Sequence, residues 1–128
     1  MTKRILICDD HYDFYEMLKI FMKQHFKNYD IEIELSTNGV DGFLNSSKSK
    51  YDLIMSDFKM PAMDGIELIN KVRTSRLSQN KDTPIIMISA YKPDLYSLYG
   101  GEESITFMKK PINIKQFMNY VEEKLSIY

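Results

Sequence analysis

The sequence predicts a three-layer, doubly wound α/β fold of five β/α units, (βα)5, with a parallel five-stranded sheet in the order 2-1-3-4-5. Short apolar runs rich in β-branched residues alternate with longer stretches of helical period, which is typical of βαβ units. Five such units fit in 128 residues, a length that suits one domain with a substantial core. Right-handed crossovers then bring the carboxyl ends of all the strands to one edge of the sheet. In this flavodoxin-like arrangement, that edge is where ligands bind.

The strands follow from local hydrophobic pattern. The predicted strands are RILIC (4–8), IEIEL (31–35), YDLIMS (51–56), PIIMIS (84–89) and ITFMKK (105–110). The second alternates strictly between apolar and acidic residues, which predicts a strand at a sheet edge. The fourth is apolar almost throughout, which predicts a central strand buried on both faces.

The helices follow from apolar stripes and from residues that start or stop a helix. The first predicted helix has an apolar stripe of Phe14, Leu18, Phe21 and His25, and the second is NGVDGFLNSS (38–47). The third, GIELINKVRTSRL (65–77), turns Ile66, Ile69 and Val72 inward, and the fourth is KPDLYSLYGG (92–101). The last helix is capped by Asn113 and turns Ile114, Phe117, Val121 and Leu125 inward. In the fourth helix, proline lies near the first turn and glycines lie at the end.

Composition excludes several classes of protein. Lysine and arginine number 17 against 18 acidic residues, so the chain as a whole is not built to bind nucleic acid directly. The single cysteine, Cys8, cannot form an internal disulfide and lies in an apolar run, which favours a reduced core thiol. The apolar runs are too short for a signal peptide or a membrane span. We therefore expect a cytoplasmic protein that does not bind membranes.

Polar residues follow four of the predicted strands at the point where each strand ends. They are Asp9 and Asp10, then Asp57, Ser89 and Lys110. Three carboxylates within about 5 Å repel by roughly 3 kcal/mol per pair at an effective dielectric of about 20, so they call for a cation. Oxygen ligands with no histidine or cysteine among them favour Mg²⁺. A lysine and a hydroxyl beside them complete a site for phosphoryl oxygens.

Each of these residues has an ordinary structural explanation when taken alone. An acidic pair after a strand can cap the next helix, and Asp57 can belong to an Asx turn. The functional interpretation is favoured because all of them are expected at the same edge of the same sheet.

The sequence resembles the response regulator receiver domain of two-component systems, the family typified by the bacterial chemotaxis response regulator. The resemblance covers essentially the whole chain and is carried by ILICDD (5–10), LIMSDFKMPAMDG (53–65), PIIMISA (84–90) and FMKKP (107–111). The acidic pair, D-x-x-M-P-x-x-D-G and K-P in this order form a specific signal, whereas the pair or the K-P alone would be weak.

The resemblance implies a phosphoryl-transfer role for these residues. Asp57 would accept a phosphoryl group from a phosphohistidine on a sensor histidine kinase, forming an aspartyl phosphate. Asp9 and Asp10 would hold Mg²⁺ together with Asp57 and the main-chain carbonyl of Lys59. Lys110 would pair with the phosphoryl oxygens.

The resemblance also implies a conformational switch. Ser89 would move to hydrogen-bond the phosphoryl group, and Phe107 would turn into the space that it leaves. The surface of the fourth predicted helix, the fifth strand and the last helix would then change for partner binding. Pro111 would follow a cis peptide that aims Lys110.

Three details depart from the family pattern. The doubled lysine offers two candidates, and the spacing to Pro111 together with strand alternation selects Lys110 over Lys109. Phe107 lacks the hydroxyl that could hydrogen-bond in the inward state. Tyr91, two residues past Ser89, has neither carboxylate nor amide to position water, which predicts slow self-dephosphorylation; the alternative is that Tyr91 only covers the loop.

Tyrosines of the fourth predicted helix suggest a protein-binding surface. With Leu95 and Leu98 facing the sheet, Tyr96 and Tyr99 would lie on the outer side, and tyrosine is enriched at interfaces. Exposed tyrosine on a helix is also ordinary, so both interpretations stay open.

We expect residues 1–128 to form a single receiver domain without an output domain, and not a conventional enzyme beyond self-dephosphorylation. Such a chain would act on a downstream protein effector or pass its phosphoryl group to a histidine phosphotransfer protein, as a monomer or a phosphorylation-dependent dimer. Alternatives are a receiver fragment of a larger regulator or hybrid kinase, and a receiver-like module that binds partners without phosphate. Flavin mononucleotide binding, as in flavodoxins, is disfavoured because CDDHYDF (8–14) would repel the phosphate.

Overall fold

The structure is a computed structural model that describes residues 1–127. The strands are β1 (Lys3–Cys8), β2 (Ile31–Ser36), β3 (Leu53–Ser56), β4 (Ile85–Ser89) and β5 (Thr106–Lys109). The helices are α1 (Tyr12–His25), α2 (Gly39–Lys48), α3 (Gly65–Thr74) and α4 (Ile114–Lys124). All strand pairs are parallel and the order is β2-β1-β3-β4-β5, which confirms the predicted doubly wound topology.

Two hydrophobic layers lie on opposite faces of the sheet. Alternation along β1 sends Ile5 and Ile7 to the layer under α1 and α4, and sends Leu6 and Cys8 to the layer under α2 and α3. As predicted, β2 lies at an edge; β4 is buried throughout and lies between β3 and β5. The strands are therefore held from both sides, which fixes where their carboxyl ends emerge.

The buried stripe of α1 differs from the predicted one. Tyr15, Leu18 and Met22 face the core, whereas Phe21 and His25 are exposed. Leu18 belongs to both the predicted and the observed stripe, and the other members differ by one position along the chain. Periodicity alone therefore could not decide which of the two adjacent faces of the helix is buried. Packing on the sheet selected the stripe that continues into buried Phe26 just after the helix.

The other predicted helix faces are largely confirmed. Ile69 and Val72 of α3 are buried, and so is the predicted α4 stripe except for Ile114, which is half-buried. Asn113 caps α4 by accepting a hydrogen bond from the Gln116 N–H at 3.0 Å.

The predicted helix over 92–101 is wrong, because this segment forms a series of turns. The Asp94 carboxylate accepts a hydrogen bond from the Tyr96 N–H at 3.0 Å, an Asx turn that competes with helical hydrogen bonding. Gly100 and Gly101 both adopt positive φ, at 82° and 81°, and lead into a 3₁₀ turn at Glu102–Ser104.

A tertiary contact holds the same segment in its non-helical form. The side chain of Asn70 on α3 accepts a hydrogen bond from the Tyr99 N–H at 2.7 Å and donates one to the Ser97 carbonyl at 2.8 Å. Leu95 and Leu98 are nevertheless buried, as predicted. The segment therefore buries its leucines without forming a helix. Among residues 1–127, no helix has the length and apolar character needed to cross a membrane.

Candidate functional site

Backbone hydrogen bonds past the strand ends position the site residues. The Asp57 N–H donates to the Cys8 carbonyl at 2.9 Å, and the Lys110 N–H donates to the Ser89 carbonyl at 2.8 Å. Asp9 continues β1 in the same way, by donating to the end of β2 at 2.9 Å. These hydrogen bonds extend the pairing of β1 with β2 and β3, and of β4 with β5, to the positions of the side chains that the sequence singled out.

The three aspartates converge as predicted, and a histidine joins them. Asp9, Asp10, His11 and Asp57 each offer one ligand atom, and these atoms all lie within 4.8 Å of one another. Asp9 is 2% exposed and Asp57 is 5% exposed, whereas Asp10 and His11 lie at the surface. Two buried carboxylates this close require positive charge nearby.

Lys110 supplies part of that charge. Its Nζ lies 3.0 Å from Asp9 Oδ2 and 3.4 Å from Asp57 Oδ2, and it also lies 4.2 Å from the centre of the Phe14 ring. The Lys110–Pro111 peptide is cis. Lys109 is exposed, so the structure turns Lys110 and not its neighbour into the cluster.

The loop after β3 fixes the orientation of the Asp57 carboxylate. Its Oδ1 accepts a hydrogen bond from the Phe58 N–H at 2.7 Å, which leaves Oδ2 facing Lys110. The Gly65 N–H donates to the Phe58 carbonyl at 2.7 Å, and a Cβ at Gly65 would lie 2.2 Å from the Asp57 main-chain oxygen. Only glycine allows α3 to begin so close to Asp57.

Two cavities open beside the cluster. One, of about 440 Å³, is lined by Asp57, Ser89, Tyr91 and Lys110 among others. The other, of about 420 Å³, is lined by Asp10 and Lys59 among others, and Lys59 borders both. The Tyr91 ring packs edge-on against Phe58, with 5.9 Å between ring centres. There is therefore room for a phosphoryl-sized group between Asp57 and Ser89.

The remaining predicted residues lie farther along the same side of the fold. Phe107 on β5 is half-buried, and Lys92 Nζ lies 5.8 Å from its ring centre. Lys92 also pairs with Glu102. Tyr96 is 93% exposed and Tyr99 is 62% exposed, so both lie on the outer side as predicted.

Cys8 lies under the acidic cluster but takes no part in it. Its side chain is fully buried, and burial raises the pKa of the thiol far above its usual range. The thiol stays protonated at neutral pH, as expected for a reduced core cysteine.

His11 was missed at the level of sequence, where histidine was excluded from the cluster. Its Nδ1 lies 3.0 Å from Asp9 Oδ1, 3.3 Å from Asp10 Oδ1 and 3.6 Å from Asp57 Oδ2. Its place directly after the acidic pair was the available signal. The structure therefore adds an imidazole beside the three carboxylates that the sequence analysis named. Phe14, which packs under Lys110, was also assigned only to the core.

Comparison with known sequences agrees with this geometry. The response regulator receiver domain family model matches residues 5–122. Response regulator ArlR of Staphylococcus saprophyticus is 31% identical over 127 residues, which are 98% of this chain and 53% of ArlR. Transcriptional regulatory protein SrrA of Staphylococcus aureus is 28% identical over 98% of this chain and 48% of SrrA. The chain thus spans about half the length of the curated relatives it matches.

Solved structures show the same fold. A CheY-like response regulator receiver domain protein from Methanospirillum hungatei has a TM-score of 0.78 and 27% identity, covering 98% of this chain and 95% of that one. The receiver domain of sensor histidine kinase PA1611 from Pseudomonas aeruginosa, which has a magnesium ion in its active site cleft, has a TM-score of 0.78 at 15% identity. It covers 98% of this chain and 99% of that one. With the family match over residues 5–122, these findings establish that the chain belongs to the response regulator receiver domain family of two-component signalling.

Proposed function

We propose that this receiver domain is a phosphoacceptor that takes a phosphoryl group from a sensor histidine kinase or a histidine phosphotransfer protein onto Asp57. The observation that carries the proposal is the meeting of buried Asp57 with Asp9 and Lys110 at the carboxyl edge of the sheet. A degenerate domain that only binds partners would have no need to bury two carboxylates together.

The donor atoms fit a magnesium ion. The carboxylates of Asp9, Asp10 and Asp57, with the main-chain carbonyl of Lys59, are hard oxygen ligands of the kind that Mg²⁺ takes in phosphoryl-transfer sites. When bound, Mg²⁺ would neutralise charge on the phosphoryl oxygens.

Asp57 would act through Oδ2, because its Oδ1 is held by the Phe58 N–H. Oδ2 forms a bond to phosphorus while the bond from phosphorus to the donor histidine nitrogen breaks. The electron pair of the broken bond stays on the histidine nitrogen. If the ring leaves as an anion, it takes up a proton from solvent. Lys110, 3.4 Å from Oδ2, is placed to pair with the phosphoryl oxygens throughout.

Ser89 and Phe107 would report the phosphoryl group to the surface. Ser89 is buried at the end of β4 and borders the same cavity as Asp57, so its hydroxyl needs only a short movement to donate to a phosphoryl oxygen. Phe107, half-buried two residues from the end of β5, could then turn inward. The affected surface comprises segment 92–101, β5 and α4, and its change would be a shift between two packings.

We propose that the chain has no enzymatic activity other than slow loss of its own phosphoryl group. Tyr91 borders the cavity and packs on Phe58, and its ring offers no carboxylate or amide to orient water. Its phenol therefore shields the aspartyl phosphate more than it assists hydrolysis.

The partners that we propose are a kinase or phosphotransfer protein and a downstream protein effector, in the cytoplasm. The exposed Tyr96 and Tyr99 favour a protein contact on segment 92–101, with an effector or with a second phosphorylated copy. Direct binding of nucleic acid by this domain is disfavoured by its formal charge of −1.

The test is the intact mass of the protein after incubation with acetyl phosphate, with and without Mg²⁺. We expect the gain of one phosphoryl group only with Mg²⁺, and none in Asp57→Asn. The matched control is Asp82→Asn, which removes an exposed carboxylate outside the cluster and should leave the gain unchanged. No gain in the unmodified chain would point to a module that binds partners without phosphate.

A further inference from the structure

Lys110 has an aromatic partner as well as its two carboxylates. Phe14 lies in the first turn of α1, and the Lys110 Nζ lies over its ring, 4.2 Å from the ring centre. A cation within about 6 Å of a ring centre is attracted to the face of the ring. The same ammonium lies 3.0 Å from Asp9 Oδ2 and 3.4 Å from Asp57 Oδ2. Lys110 therefore has two charged partners and one uncharged partner.

The surroundings strengthen the contact between the ammonium and the ring. The Lys110 side chain is 17% exposed, and Phe14 is half-buried. Cation–π attraction is larger where the cation is shielded from water. An ammonium has three N–H donors, so one donor remains for the ring when the other two face the carboxylates.

The position of the Phe14 ring is fixed by the packing of α1. Tyr15 and Leu18 on the same helix are buried against the sheet. The ring borders the cavity of about 440 Å³ that is also lined by Asp57 and Lys110. It also borders a gap of about 10 Å³ in the core below, which is too small for more than one water molecule. The ring therefore has no room to sink away from the ammonium.

In the proposed reaction the two carboxylates change, whereas the ring does not. Asp57 would become an aspartyl phosphate, and Asp9 would become a ligand of Mg²⁺, so both would offer less negative charge to Lys110. The phosphoryl oxygens arrive as new partners at the same time. A ring that holds the ammonium through this exchange keeps it ordered where charge develops, and such preorganisation lowers the barrier.

We propose that Phe14 is a positioning residue for phosphoryl transfer, whose ring holds the Lys110 ammonium in place for the phosphoryl oxygens. The inference rests on the proposed function, because Lys110 has this task only if Asp57 takes a phosphoryl group. The alternative role of Phe14 is to fill space between α1 and the sheet. Filling space requires apolar volume, whereas holding an ammonium requires an aromatic face.

The experiment measures the rate of phosphorylation by acetyl phosphate with Mg²⁺, followed by intact mass, in the full chain and its variants. Phe14→Leu keeps an apolar side chain but removes the ring, and Phe14→Tyr keeps the ring. Phe21→Leu is the matched control, because Phe21 lies on the same helix but is exposed and does not border the cavity. Urea unfolding identifies the conditions in which every variant is folded.

We expect Phe14→Leu to slow phosphorylation about 5- to 30-fold, the range that follows from the loss of a shielded cation–π contact. Phe14→Tyr should retain most of the rate, and Phe21→Leu should match the unmodified chain. The effect should disappear without the ammonium. Adding Phe14→Leu to Lys110→Met should therefore slow that variant less than about twofold.

NMR signals of the Lys110 ε-methylene protons give a second readout that needs no phosphoryl group. The ring current of Phe14 should shift these signals upfield in the unmodified chain and in Phe14→Tyr. They should return to ordinary lysine positions in Phe14→Leu and stay shifted in Phe21→Leu.

The outcomes separate this inference from the proposed function. A chain that is phosphorylated equally fast with Phe14→Leu, or that is slowed by the same factor with and without the Lys110 ammonium, would overturn the inference alone. A loss of rate in Phe14→Tyr as large as in Phe14→Leu would also overturn it, and so would Lys110 signals that do not move in Phe14→Leu. An unmodified chain that takes no phosphoryl group would overturn both.

Discussion

Asp10→Asn should stabilise the protein in the absence of divalent cations. Ligand atoms of Asp9, Asp10 and Asp57 lie within 4.8 Å of one another, and at that separation two charges repel by about 3 kcal/mol at an effective dielectric of about 20 and about 1 kcal/mol in bulk water. Asp10 is one-third exposed, so each of its two repulsions lies between these limits. The change weakens the 3.3 Å contact between Asp10 and the exposed His11 Nδ1, but it leaves the ion pairs of Lys110 with Asp9 and Asp57 in place. Since Asp9 and Asp10 also repel in the unfolded chain, we expect a net gain of about 1–3 kcal/mol in the free energy of unfolding.

Magnesium should reverse this order. At a concentration of 100 times its Kd, an ion that binds only the folded state stabilises it by about 2.7 kcal/mol. Asp10→Asn removes a proposed magnesium ligand and should lose most of this contribution. The assay is urea unfolding of both proteins in EDTA and in excess Mg²⁺, with the variant more stable in EDTA and its advantage abolished or reversed in Mg²⁺.

The matched control is Asp13→Asn, which removes a carboxylate in the first turn of α1 outside the cluster. It should lose about 0.3–1 kcal/mol of helix-dipole stabilisation, equally in both buffers. A destabilised Asp10→Asn in EDTA, or a shift that does not depend on Mg²⁺, would refute the reasoning from charge repulsion.

Three further predictions concern other parts of the domain. Tyr91→Glu should shorten the lifetime of the aspartyl phosphate, measured by the loss of the phosphoryl mass over time, and Tyr96→Glu on the outer side should not. Equal decay in the unmodified chain and both variants would mean that Tyr91 only covers the loop. Gly65→Ala should cost about 1–3 kcal/mol in urea unfolding, because its Cβ would lie 2.2 Å from the Asp57 main-chain oxygen; a neutral result would mean that α3 can shift freely. Burial raises the pKa of the Tyr51 phenol, so this phenol ionises at lower pH in the unfolded chain than in the folded protein, and the free energy of unfolding should fall as the pH rises above about 10. The fall should be shallower in Tyr51→Phe. Identical slopes of unfolding free energy against pH in the two proteins would contradict this prediction.

Much of the candidate site could be predicted before the structure, because strand ends are marked in the sequence. A parallel strand buried on both faces is a continuous apolar run, so the polar residues at its end mark the carboxyl edge. Asp9, Asp57 and Ser89 were located in this way. The sheet topology then brings these residues together regardless of loop conformation, because neighbouring strands are about 4.8 Å apart.

Features that depend on packing between elements were not predictable in the same way. Segment 92–101 has the apolar spacing of a helix, but an Asx turn at Asp94 and the side chain of Asn70, more than twenty residues away, hold it in turns. Leu18 fits two adjacent stripes of α1, and contact with the sheet decides between them.

The sequence by itself determined the five strands, the parallel α/β class, and the aspartates that gather at the carboxyl edge of the sheet, because these follow from hydrophobic runs and chain direction. The tertiary structure alone decided the form of segment 92–101, the rotation of α1 and the placement of the His11 imidazole among three carboxylates. Each of these depends on side chains that meet across separate elements or at a loop, where local pattern leaves several conformations of similar energy.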